Sequence, residues 1–245
     1  ASGGRMLGYL QASNHTQRST GFTQDELHLL VIVANQAAPV IDNFTLIQQS
    51  RQRAQRAEAL RRIASLASSA ANLNEILKIS LQELCRLLQA DVAAIFLYDQ
   101  TSGELRFQPE SMFGSLEPLP EPLGRLRMDD PQYHFTVTGG QRALFTGSLS
   151  EESAIIPFYQ AIQSFWNIQA AVIAPLVVRD EGIGELWIAA RQPNAFDKGS
   201  LQLAATAAGQ LAGVVEQSFL AAQTDESLHR RVQQLSALTR ISREL

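Results

Sequence analysis

The 245-residue chain is 45% hydrophobic and 18% charged, an ordinary composition for a globular protein able to bury a core. Its formal charge of −4, with no dense Lys/Arg block, excludes a phosphate-tracking surface for nucleic acid. The single cysteine, Cys85, excludes an internal disulfide, and no basic segment followed by an apolar core marks a secretory signal, so the sequence reads as cytoplasmic.

From the N-terminus, a strand is expected at Gly8-Tyr9-Leu10, then a loop, then a long helix opening near Thr23. Phe22, just before that cap, can staple onto the first turn. A helical linker follows, on which Leu60, Ile63, Ala67 and Ala70 share a face. Leu77, Leu81, Leu84 and Leu88 then mark one face of a helix over residues 73–89, and residues 91–98 are rich in strand formers. Turn residues at 99–103 lead into a second strand over 104–108, which predicts an antiparallel hairpin. Residues 109–140 contain five prolines and read as an irregular surface loop with one short helix. Ile155, Phe158, Tyr159, Ile162, Phe165 and Trp166 recur at helical spacing within residues 151–166. Strands over 169–178 and 183–191 are joined by Arg179-Asp180-Glu181-Gly182, read as a hairpin turn ending in glycine. The longest apolar stretch counted, residues 168–178, is interrupted by Gln169 and Pro175 and falls short of the roughly 20 residues of a membrane helix, so no membrane insertion is expected. A last helix opens at Asp197, with Leu201, Ala204, Ala208, Leu211 and Val215 on one side and a stripe of Leu228, Val232, Leu235, Leu238 and Leu245 beyond.

The two ends of the chain repeat each other. Gly8-Tyr9-Leu10 matches Gly184-Glu185-Leu186, and Phe22, Leu27, Leu29, Ala34, Gln36 and Val40 match Phe196, Leu201, Leu203, Ala208, Gln210 and Val214 at a constant spacing of 174 residues. Leu60-x-Arg62-Ile63 matches Leu238-x-Arg240-Ile241 at a spacing of 178, so the linkers differ by four residues, about one helical turn.

The strand at 91–98, the Pro175-Leu176 strand, and Gly184-Glu185-Leu186 running through Phe196 to Gln210 together resemble the GAF family of sensor domains over roughly residues 73–217. The resemblance implies an α+β fold: a central, mostly antiparallel six-stranded sheet with flanking helices and long linker helices. By the same resemblance, residues 1–46 look like the C-terminal strand and helix of a preceding GAF-like domain, residues 47–72 a helical linker, 73–217 a complete sensory domain, and 218–245 a helical linker to a following one. Family members bind cyclic nucleotides, bilins, haem or small metabolites, or serve as ligand-free dimerising spacers in histidine kinases of two-component systems, diguanylate cyclases and transcription regulators.

Tested residue by residue, the chemistry is sparse. The Asn-Lys and Asp-Glu pairs of cyclic-nucleotide members are replaced by Asn194-Ala195 and Ser200-Leu201, and Cys85 lies beside an apolar helical stripe rather than at a bilin pocket. His15, His28, His134 and His229 are scattered, so no metal site is expected. Asp129-Asp130, Glu151-Glu152 and Asp180-Glu181 point in divergent directions and suit solvated turns, so no catalytic residue is assigned. Alternation along the last strand places Glu185 and Trp187 opposite the helices, Phe96 and Tyr98 share a face of the first strand, and Phe158, Tyr159 and Trp166 lie on the cap helix. With His134 these eight residues form the candidate ligand pocket, although the aromatics also read as core filling. No cofactor is specified.

The reading is a non-catalytic sensory module of a multidomain signalling protein, acting as a homodimer through coiled linker helices and communicating with other domains of its chain. A ligand-free spacer is the alternative. A GAF-fold methionine sulfoxide reductase, which needs several pocket cysteines, is disfavoured with only Cys85 present.

Overall fold

The computed structural model describes residues 6–13, 21–67, 72–147 and 155–244, with side chains described except for residues 66–67 and 222–244. Two compact units cover residues 1–57 and 58–245.

Helix α1, Gln24–Ala67, opens in the first unit at the expected cap, and its residues from Glu58 on belong to the second. Glu26 N–H donates to Thr23 Oγ1 at 3.3 Å while Thr23 N–H donates to Glu26 Oε2 at 2.6 Å, a reciprocal capping box. The strand expected at Gly8-Tyr9-Leu10 does not form: residues 6–13 have no regular structure. A strand needs neighbours for its N–H and C=O groups, and none is described in this unit. The expectation that no segment is apolar enough for a bilayer is also revised. By length and composition alone the stretch Gln24–Ser65 qualifies, with a mean hydropathy of 1.4 over an 18-residue window. Counting unbroken apolar runs missed it, because Asn35 and Gln36 interrupt the run while the average stays high.

In the second unit a six-stranded antiparallel sheet has the order β3-β2-β1-β6-β5-β4. Its strands are β1, Val92–Asp99; β2, Glu104–Gly114; β3, Arg125–Arg127; β4, Leu144–Thr146; β5, Ala170–Val178; and β6, Glu181–Ala190. One face is covered by α2, Leu73–Leu88, and by the first part of α5, Lys198–Glu244. Ala93, Ile95, Val172, Ala174, Leu186 and Ile188 meet Leu77, Leu81 and Leu84 of α2 and Ala204, Ala208 and Leu211 of α5 there. The small side chains of α5 let the helix lie close to the sheet. Ala59 and Ile63, near the end of α1, are buried in the same unit, so the second half of the expected linker is part of the domain. Arg62 reaches Glu83 of α2 at 3.5 Å.

The loop expected over residues 109–140 is more ordered than its prolines suggest. β2 continues through Pro109 because its pairing with β1 is interrupted there: Ala94 faces Met112 and Phe96 faces Phe107, so residues 108–111 bulge and a missing N–H breaks no ladder. Beyond it lie β3, a 3₁₀ turn at Tyr133–Phe135 and α3, Val137–Gly140. Helix α4, Pro157–Trp166, begins with proline at its first turn, where no donor is lost; residues 151–154 of the expected helix lie outside the described residues. The β5–β6 turn is formed by Arg179 and Asp180, both with positive φ (49° and 64°), rather than by its glycine. Gly182 serves a close approach instead. A Cβ there would strike the carbonyl oxygen of Thr138, so glycine lets α3 lie against β6.

Candidate ligand site

Successive residues of β6 alternate between the two faces of the sheet. Leu186 and Ile188 join the helix-covered core, while Glu185 and Trp187 turn to the opposite face, where Phe96, Phe107, Phe158, Tyr159, Ile162 and Trp166 collect. The rings close over one another. Trp187 lies 5.5 Å from Phe96, 5.0 Å from Tyr159 and 6.3 Å from Trp166 between centroids, and Phe96 lies 6.0 Å from Phe158. Trp166 Nε1 donates to the Glu117 carbonyl at 2.8 Å, which fixes the end of α4 over the sheet.

Within this apolar layer sits a fully buried carboxylate, Glu185. Oε1 accepts from Trp187 Nε1 at 2.8 Å. Oε2 accepts from the Tyr159 hydroxyl at 2.9 Å and from the Thr138 N–H and hydroxyl, each at 3.2 Å. Burial raises the Glu185 pKa above the usual carboxylate range, opposed by these hydrogen bonds. Burial, followed by the neighbouring Glu185, pushes the Tyr159 phenol well above its ordinary value. The Tyr159 oxygen also accepts from the Val137 N–H at 2.6 Å. One carboxylate thus ties β6, α3 and α4 together.

A cleft of about 360 Å³ opens beside this cluster. Val137, Leu144, Ile155, Ile156 and Phe135 supply its apolar wall, Tyr159 its inner end, and His134 and Arg142 its polar groups. Among the described residues no acidic side chain lines it. The volume is at the small end of the range for small-molecule sites.

Of the eight residues singled out from the sequence, His134 and Tyr159 line the cleft. Phe96, Phe158, Trp166 and Trp187 are packed in the aromatic layer, with Glu185 buried among them. Tyr98 stands apart: its hydroxyl donates to Met128 Sδ at 3.1 Å, and its ring lies 6.3 Å from Tyr133. Val137, Thr138, Arg142 and Leu144 escaped the sequence reading because they fall in or just after a segment taken as irregular loop, and Ile156 because it is the N-cap of α4 and lies off that helix's apolar stripe. The only local signal was Thr136, three residues before Gly139, whose hydroxyl accepts from the Gly139 N–H at 2.9 Å to cap α3.

Among the described residues the site holds no cysteine. Cys85 lies in the opposite core, and burial, with a smaller contribution from Asp91, pushes its thiol up to about 12. Among the described residues no cluster of His, Cys, Asp and Glu suits a metal ion.

The GAF domain profile matches residues 72–215, more than half of the chain. The chain belongs to the GAF family. No curated protein matches it. Among solved structures, the GAF domain of a phosphoenolpyruvate-protein phosphotransferase from Coxiella burnetii is 20% identical, with a TM-score of 0.56 covering 69% of this chain and 97% of that one. A phycocyanobilin-bound GAF domain from a cyanobacterial phytochrome is 19% identical, with a TM-score of 0.55 over 68% and 96% of the two chains. Free methionine-R-sulfoxide reductase from Neisseria meningitidis, in complex with its substrate, is also 19% identical, with a TM-score of 0.54 over 68% and 91%. At this identity the likeness establishes the GAF fold, which is at the family level that of a sensory or regulatory module.

Proposed function

We propose that this chain is a non-catalytic sensory module whose GAF domain detects a small neutral or anionic molecule in the cleft and relays its presence to helix α5. The observation that carries this reading is the position of Tyr159. Its side chain lines the cleft, and its hydroxyl is held between Val137 N–H and the buried Glu185 of β6. A molecule seated against Tyr159 would disturb the bond to Glu185 and so the strand beneath α5, which continues without a break from the sheet to Glu244. An ionisable group kept buried with no cation in hydrogen-bond contact costs stability, and such groups concentrate where a protein responds to something. The Arg142 guanidinium and the His134 imidazole on the wall disfavour a cationic ligand.

Reductase chemistry is disfavoured by the position of Cys85, the chain's single thiol, on the far side of the sheet. The apolar stripe of α5 beyond residue 221 supports a homodimer joined through this extension, with output passed to other domains. A ligand-free spacer is the second reading, favoured by how completely the aromatic layer fills its own face.

Native mass spectrometry of protein purified from its source cells tests the choice. A retained small molecule that is lost from Tyr159→Phe and Arg142→Gln supports sensing. No retained species, together with no saturable response to a metabolite screen, leaves the spacer. Light scattering at micromolar concentration tests the dimer, which a monomer would defeat.

A further inference from the structure

Residues 24–41 of α1 and 198–215 of α5 are copies of one another, but only the α5 copy is covered throughout: on α1 Ala38 is buried and Leu30, Ala34 and Ala37 are half-buried, while the larger Leu29, Val33, Val40 and Ile41 stay exposed. In α5 the pairs Leu203/Ala204, Ala207/Ala208, Leu211/Ala212 and Val214/Val215 are buried over the sheet. Shifted by the 174-residue repeat, the corresponding α1 positions are Leu29/Leu30, Val33/Ala34, Ala37/Ala38 and Val40/Ile41, all apolar. Leu29, Val33, Val40 and Ile41 are 62%, 53%, 68% and 56% exposed, whereas Leu203, Ala207, Val214 and Val215 are 4%, 0%, 6% and 0% exposed. Between the pairs, Gln202, Gln210 and Glu216 of α5 correspond to His28, Gln36 and Asp42 of α1, so polar positions are repeated as well. Both helices begin alike, with Phe22 or Phe196 before a reciprocal cap, Thr23 with Glu26 or Asp197 with Ser200.

We infer that the first half of α1 is the closing helix of a second GAF-type domain, and that its four apolar pairs dock on the aliphatic face of that domain's six-stranded sheet. The sheet of residues 92–190 cannot serve, since α2 and α5 already cover the face that such a helix takes. The partner sheet belongs to the same polypeptide, ahead of Gln24, because in the domain of residues 72–215 the strands precede their closing helix and β6 leads directly into α5. Gly8-Tyr9-Leu10, which repeats Gly184-Glu185-Leu186, then has a place. β6 is an interior strand between β1 and β5, and the equivalent segment has no regular structure here because an interior strand forms only between its neighbours. The plan of the chain is consistent with this: each helix has a cap, a half with paired apolar residues and an extension, and the extension of α1 carries Ala59 and Ile63, buried in the next domain. A bilayer is the poorer match for the exposed face, because His28, Asn35, Gln36 and Asp42 recur on the other side of the helix.

The test uses the polypeptide at its natural length, purified from source cells, with reporters Val33→Cys and Val40→Cys on the docking side and Asn35→Cys on the polar side. Cys85, buried and with its thiol at about 12, stays silent to maleimide. The expected result is labelling at 33 and 40 at least tenfold slower than at 35, the difference vanishing in urea and being absent from the 245-residue chain. Hydrogen exchange on the unmodified protein, slow over residues 24–41 only at natural length, supports the same conclusion without relying on a variant to fold. A natural polypeptide with no sheet-forming sequence ahead of Gln24 overturns the inference. So do equal labelling at all three sites, protection that appears only as protein concentration rises, which assigns the face to a second copy, and protection that requires phosphatidylcholine–phosphatidylglycerol vesicles, which assigns it to a membrane.

Discussion

The two faces of the GAF sheet are built from the same strands and solve different problems. The helix-covered face holds mostly aliphatic and small residues, with no charged side chain in its core among the described residues, and seats α2 and α5 on the sheet. The other face carries large aromatic rings, a carboxylate shut away from water and a cleft at its edge. Placing Glu185 in an apolar layer is more costly than a leucine there would be, and its hydrogen bonds only offset that cost. The comparison shows where a sheet of this kind gives up stability for responsiveness.

The largest expected effect strikes the aromatic face. Trp187→Ala removes ring contacts to Phe96, Tyr159 and Trp166 as well as a donor to Glu185, and should cost about 3–5 kcal/mol in urea unfolding. A loss below about 1 kcal/mol would mean that this layer collapses around the gap and is only loosely packed. On the helix face, Leu211→Ala is expected to cost about 3 kcal/mol while leaving occupancy of the cleft untouched. A change in retained ligand at unchanged fold would erase the division of labour between the faces.

A smaller loss is expected from Tyr159→Phe, about 1–3 kcal/mol, because Val137 N–H and one Glu185 oxygen lose a partner in a dry setting. Stability unaffected by this change would show that water replaces the hydroxyl, and would remove the mechanical link to β6.

The subtlest effect is in pH dependence. Burial raises the Glu185 pKa above that of the unfolded chain, so its contribution to stability is fully present below the ordinary glutamate range, near about 4.3, and is lost as pH rises through the folded value. Tyr159 also faces it, with a pKa well above neutral. Glu185→Gln should therefore gain on the wild-type protein as pH rises from about 4 towards 8, when urea midpoints are compared at each pH. A constant difference over that interval would show that the folded pKa is unshifted.

Alternation along residues 184–188 was enough to divide β6 between the two faces, and helical spacing was enough to place Phe158, Tyr159, Ile162 and Trp166 on one side of α4. Those patterns are local, so the chain displays them before it folds. The strands β3 and β4 were not legible, since three residues carry too little periodicity and both depend on hydrogen bonds from a longer neighbour. The cleft was equally hidden. Arg142 and Ile156 are fourteen positions apart, and only folding brings them beside His134 and Tyr159.

The sequence by itself determined the family, the two-faced sheet, the capped helices and the repeat at a spacing of 174 residues, because each is written in residue types at short or fixed separations. Tertiary structure alone decided that Glu185 is buried and shared among Trp187, Tyr159 and Thr138, that the aromatics meet one another, and that Leu29, Val33, Val40 and Ile41 of α1 are exposed while their counterparts Leu203, Ala207, Val214 and Val215 of α5 are covered. Burial belongs to what surrounds a residue, and a side chain's surroundings are assembled from segments that are far apart along the chain.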